Sequence, residues 1–155
     1  MLMDHKQLVD TIMNNDNNIR FASVCNMVGE LQMSRQKSGI EKFLSNEDTQ
    51  LSLEYATKAW IHARRPYFKK IGKGIYTLTA YEKLKRVTIP LEDGFLLLAT
   101  MDITSEQNQI IDGILKIVHE GEPKKCWNCN KVLEERDDEF CSKECDDLYY
   151  DLHKS

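Results

Sequence analysis

Ile19-Arg20-Phe21-Ala22-Ser23-Val24-Cys25-Asn26-Met27-Val28-Gly29 is the stretch where the hydrophobic period of this 155-residue chain changes. Ile19, Phe21, Ser23, Cys25 and Met27 alternate with Arg20, Ala22, Val24 and Asn26, a period of two that makes a strand. Both sets are largely apolar, so the strand is expected to be buried on both faces. Gly29 supplies the turn into a second strand around Glu30 to Gln36. Upstream the period is helical: Leu8, Val9, Ile12 and Met13 form one stripe behind Asp4, whose partner Gln7 completes a capping-box pattern. The turn-forming run Asn14 to Asn18 closes that helix before the strand begins.

Downstream, Ser45 with Asp48 reads as a second helix cap. Leu53, Ala56, Trp60 and Ala63 follow at i, i+3, i+7 and i+10, a stripe facing a core. Leu51, Tyr55 and Ala59 widen the apolar surface beyond what one core can take, which makes them a candidate dimer face. Pro66 stops or kinks this helix. Ile75 to Tyr81, Arg86 to Leu91 and Phe95 to Met101 then read as three strands, the last two joined by the hairpin signal Asp93-Gly94. Pro90 points to an edge strand or a bulge. A last helix is expected from near Thr104, with Gln107 at its capping-box position, presenting Ile110, Ile111, Ile114, Leu115 and Val118 and ending at Gly121 and Pro123.

The order helix, two strands, helix, three strands, helix gives an α+β fold, a five-stranded antiparallel sheet with packed helices over residues 1–120. This αββαβββα order resembles the roadblock/dynein-light-chain domains, relatives of the profilin-like and longin folds. Val24-Cys25-Asn26-Met27-Val28-Gly29 is similar to the apolar strand, polar residue and glycine turn of their first hairpin. The resemblance is nearest to small archaeal proteins of this architecture. It implies a homodimer formed through the middle helix and its neighbouring strand, and a regulator or scaffold that serves a protein partner such as a small GTPase. It carries over no catalytic residues.

Residues 121–155 form a second module. Four of the five cysteines fall in the spacing Cys126-x2-Cys129-x11-Cys141-x3-Cys145, two ligand pairs of the kind that hold tetrahedral zinc. Leu148, Tyr149 and Leu152 follow the fourth cysteine at helical spacing. Phe140-Cys141-Ser142 resembles the end of small treble-clef-like or ribbon-like zinc modules. The apolar side chains here are too few to offset the ordering of about 25 residues, so one structural zinc per chain is expected to organise them. A redox pair at Cys126 and Cys129 lacks the βαβ context it needs. A zinc deaminase lacks its His-x-Glu, and four cysteines leave no open position for catalytic zinc. An iron–sulfur cluster on the same cysteines stays open, as does His153 as a substitute ligand.

The remaining chemistry is sparse. Gly72-Lys73-Gly74 lacks the rest of a phosphate-binding loop. His5 and His62 have no neighbouring nucleophile, Cys25 reads as a buried thiol, and Trp60 as core or dimer contact. Arg64, Arg65, Lys69, Lys70 and Lys73 cluster after the middle helix, either as a solvated loop or as a surface for an anionic partner. Residues 122–155 carry six basic and ten acidic side chains, a charge that opposes nucleic-acid binding by this module. No apolar run is long enough for a membrane span or a signal peptide, which places the expected protein in the cytoplasm.

The sequence is therefore read as a non-enzymatic adaptor, a roadblock-like dimer with a zinc module that docks a protein. A small-molecule or GTPase-state sensor using the sheet surface is the second reading. A nucleic-acid-associated regulator using the basic cluster is the third.

Overall fold

A computed structural model describes residues 3–63, 68–120, 126, 128, 129, 131–133 and 140–152. Its elements run α1 (His5–Asn15), β1 (Ile19–Cys25), β2 (Leu31–Gln36), α2 (Asn46–Ala63), α3 (Phe68–Ile71), β3 (Thr77–Ala80), β4 (Leu84–Pro90), β5 (Leu96–Asp102), α4 (Gln107–Glu120) and α5 (Lys143–Leu152). The five strands form one antiparallel sheet in the order β2-β1-β5-β4-β3. The expected α+β architecture is present, and the one helix absent from the reading is the single turn α3.

β1 and β5 sit at the centre and are buried on both faces. Their register places Ala22 opposite Ala99, Ser23 opposite Leu98 and Val24 opposite Leu97. Strand alternation then feeds two separate cores. Ala22, Val24, Leu97, Ala99 and Met101, with Val87 and Ile89 of β4, face α1 and α4 and meet Val9, Ile12, Ile110 and Ile114. Cys25, Leu96 and Leu98 face the other way and meet Leu53, Ala56 and Trp60 of α2. Burial of the Cys25 thiol pushes its pKa up to about 11. Because the unfolded thiol ionises nearer 9, this burial favours the fold below pH 9, and the contribution is lost as pH climbs through 11.

The first helix starts as its sequence dictates: the Asp4 carboxylate accepts from the Gln7 N–H, and the Gln7 side chain accepts from the Asp4 N–H. The β1–β2 turn is organised by Asn26, whose Oδ1 accepts from the N–H groups of Val28 and Glu30. Gly29 closes this turn with φ +87°, and a Cβ there would lie 2.9 Å from the Glu54 Cα. The glycine thus serves both the turn and the close approach of α2.

Three details depart from expectation. α4 begins at Gln107, because the Ser105 hydroxyl donates to the Asp102 carbonyl and holds residues 102–105 in a turn. The expected start near Thr104 is thereby displaced. Pro90 lies on an interior strand, with no edge and no bulge. It ends β4 opposite Leu96, and β3 reaches only as far as Thr88, so no ladder bond on that side needs its missing N–H. The strand expected over Ile75 to Tyr81 is shortened to Thr77–Ala80. The candidate face of Leu51, Tyr55 and Ala59 points away from both cores: Leu51 is 62% and Tyr55 71% exposed, and α1 and α4 pack on the opposite side of the sheet.

Gly29→Ala is expected to destabilise the protein by about 2 kcal/mol or more, from the strained φ plus the contact with the α2 backbone. Gly39 has φ +78° but nothing within 4 Å of a Cβ, so Gly39→Ala should cost about half as much. Urea unfolding of the two variants checks the order.

Candidate metal centre and sheet cleft

The four cysteines of the C-terminal module converge. One sulfur from each of Cys126, Cys129, Cys141 and Cys145 lies within 4.8 Å of the others. The Cys129 and Cys141 sulfurs are 3.5 Å apart, and those of Cys141 and Cys145 3.6 Å. A tetrahedron with zinc–sulfur arms of about 2.3 Å has edges of about 3.8 Å, whereas a disulfide needs about 2.05 Å. The spacing thus fits four thiolates around one metal ion.

Local structure explains the convergence. The first pair sits on a tight turn closed by the Cys126 N–H donating to the Lys131 carbonyl at 2.8 Å. The second pair brackets the start of α5, where Ser142 caps the helix by accepting from the Cys145 N–H at 3.2 Å. Cys126 is fully buried, and Tyr149 is 2% exposed with its ring 5.5 Å from that of Phe140. Phe140 and Tyr149 thus form an aromatic pair within the cysteine-bearing segment.

Electrostatics favours a cation there. Burial alone would raise the Cys126 pKa, but the backbone N–H groups of Cys129, Cys141 and Asn128 outweigh it and hold the thiol down at about 6. Cys141 is pushed up to about 12, chiefly by hydrogen bonding to Cys129 and then to Cys145. A divalent ion bound here would be held by the sulfurs as thiolates.

The basic cluster expected after the middle helix is only partly in view. Arg64 and Arg65 lie outside the described residues, as does the side chain of Lys69. Lys70 is exposed. Lys73 donates to a Glu92 carboxylate oxygen at 2.5 Å. His62 and His153 also fall outside the described side chains. His5 is half-buried, 3.1 Å from the Asp93 carboxylate and edge-on to Phe95.

A feature the sequence reading missed lies on the α2 side of the sheet. A cleft of about 1070 Å³ runs beneath loop 37–45 and beside the first half of α2. Its floor is Phe21, Leu98, Thr100, Leu84 and Arg86. Phe43 forms the far wall, held between the Arg20 guanidinium at 4.5 Å and the Lys83 ammonium at 5.5 Å. The Arg86 guanidinium is half-buried, donates from Nη1 to the Ser52 hydroxyl at 2.8 Å and lies 5.6 Å from the Tyr81 ring. A charged residue beside the buried run Val87-Thr88-Ile89 was the available signal. Only the β4–β5 register shows which face it occupies.

Comparison with solved structures is decisive for the fold. A Roadblock/LC7 domain from Streptomyces avermitilis is similar with TM-score 0.58 at 9% identity, over 75% of this chain and 92% of that one. This is the roadblock/LC7 fold. The gliding protein MglB from Thermus thermophilus is similar to this chain at TM-score 0.55 and 10% identity, over 75% of this chain and 89% of that one. MglC from Myxococcus xanthus gives 0.52 and 12%, over 75% and 94%. No family model and no curated protein matches the sequence. Among the described residues no helix is long and apolar enough to cross a membrane.

The purified protein is expected to carry one equivalent of zinc by elemental analysis; iron with visible absorbance would replace the zinc assignment with an iron one. Cys141→Ser should raise amide exchange over residues 140–152 and leave residues 5–120 protected. In metal-loaded protein at pH 8, Cys25 should resist alkylation until denaturant is added, as its raised pKa and burial require.

Proposed function

We propose that this chain is a non-enzymatic adaptor or regulator that works as a homodimer and uses a zinc-stabilised C-terminal module for protein contact. The observation that carries this reading is the outward face of α2. Leu51 and Tyr55 are large, 62% and 71% exposed, and flanked by Ala59 on the same helix. An apolar strip of this kind on a folded domain marks an interaction site. The open edge strand β2 adds a row of unpaired backbone groups, which soluble proteins normally cover. A two-fold pairing of like faces would shield both.

The partner class follows from the same features. One MglB structure with this fold has a tetrameric arrangement, which supports self-association as a use of this architecture. A small GTPase as the further partner rests on the roadblock resemblance. The zinc module, with ten acidic and six basic residues over 122–155 and a further −2 from Zn²⁺ with four thiolates, would present a surface of about −6 to a basic protein partner. Such a charge opposes nucleic-acid binding by this module. The cytoplasm, where thiolates stay reduced, is the compartment that suits the cysteine cluster.

Light scattering of the metal-loaded protein should give twice the chain mass at micromolar concentration. Tyr55→Glu should shift that mass to one chain while the monomer stays folded, because the side chain is outside both cores, and the thermal midpoint should lose its dependence on protein concentration. A mass of one chain for the unaltered protein would refute the dimer.

A further inference from the structure

We propose that the cleft on the α2 side of the sheet binds a small amphipathic monocarboxylate, its apolar body on Phe21, Leu84 and Leu98 and its carboxylate on Arg86. The site needs neither the zinc module nor a second copy of the chain, but Leu51 and Tyr55 of the proposed dimer face also line it, so a dimer formed through that face and a ligand would share this cleft.

Three observations converge. The first is size, since about 1070 Å³ matches the pockets that take drug-sized ligands. The second is the lining. The floor is apolar apart from Thr100, Arg86 and Arg20, while the acidic side chains Glu41, Asp48 and Glu82 stand exposed around it. Aromatic and aliphatic surface with a few fixed polar groups is the composition of ligand sites.

The third is Arg86 itself. Among the described residues its charge faces no carboxylate; it has one neutral acceptor, the Ser52 hydroxyl, and an aromatic neighbour, the Tyr81 ring. Its Nε is buried without an acceptor. Arg20, the other cation at the floor, is by contrast committed to Asp102 at 2.8 Å and to the Glu41 carbonyl at 2.8 Å. A half-buried guanidinium without a counter-charge is costly, and a carboxylate is the group its planar fork matches. The neutral Ser52 hydroxyl is readily exchanged for an ionised acceptor, which binds more strongly.

The committed ligand is thus one negative group on an apolar body. The probe is octanoate, titrated into the full-length metal-loaded protein and followed by amide NMR, with octanol as the neutral partner of equal length. Octanoate should saturate and shift the amides of Phe21, Arg86 and Leu98, with octanol about ten-fold weaker or more. Arg86→Gln should weaken octanoate about ten-fold and leave octanol unchanged, and Arg86→Lys should restore part of the loss. If Arg86→Gln does not fold, the octanoate-to-octanol ratio in the unaltered protein decides alone. Equal affinity for the two probes overturns the proposal. So does an absence of saturable shifts, or shifts at these amides that follow protein concentration in place of octanoate, which would mean that a second copy occupies the cleft.

Discussion

Five strands at about 4.8 Å spacing make a sheet about 19 Å across, and a helix with its side chains covers about 10 Å of it. That mismatch governs this molecule. On one face two helices, α1 and α4, lie side by side, and every central residue beneath them is buried, from Val24 through Ala99 to Ile89. On the other face, among the described residues, the core is packed by α2. Beneath it Cys25, Leu96, Leu98 and Thr88 are buried, while Phe21, Thr100 and Arg86 are only half-covered. Loop 37–45 bridges part of the gap through Phe43 and leaves the cleft below it.

The polar groups under α2 show how such a face is kept specific. The Trp60 indole N–H donates to the Thr88 hydroxyl at 2.8 Å, and the Ser23 hydroxyl donates to the Leu98 carbonyl. Each satisfies a buried polar atom that would otherwise cost about 1–3 kcal/mol. The first ties α2 to β4 and explains why a tryptophan belongs at this point of the stripe; the second lies within the sheet, between β1 and β5.

How far the sequence discloses this arrangement depends on the range of the interaction concerned. β1 and β5 are legible because their apolar alternation is local and unbroken, and the Asp93-Gly94 turn fixes which strand pairs with which. The four cysteines are legible because ligand spacing is also local. The start of α4 is misread because Thr104 and Gln107 imitate a capping box, while the competing bond from the Ser105 hydroxyl to Asp102 is visible only in three dimensions. Pro90 is misread because its tolerance depends on where β3 stops. The cleft is invisible for the same reason. It is made by loop 37–45, the turn at 81–83 and the sheet floor, segments that no periodicity connects, and by a register that turns Arg86 inward.

The metal module answers a different shortage. Its described core is Cys126 and Tyr149, with Phe140 beside them, far less apolar surface than a domain needs to stand alone. A bound divalent ion would supply the missing cohesion by tying a turn and a helix start together through four sulfurs. The backbone N–H groups aimed at Cys126 prepare one thiolate before any metal arrives, and the hydrogen-bonded trio of Cys129, Cys141 and Cys145 keeps the other ligands within reach. Burial is uneven among the four: Cys126 is enclosed, Cys145 is half-buried, and Cys129 and Cys141 are exposed. The sheet and its helices are thus cohesive through two apolar cores, whereas the described part of the C-terminal segment brings four sulfurs together with few apolar side chains beside them.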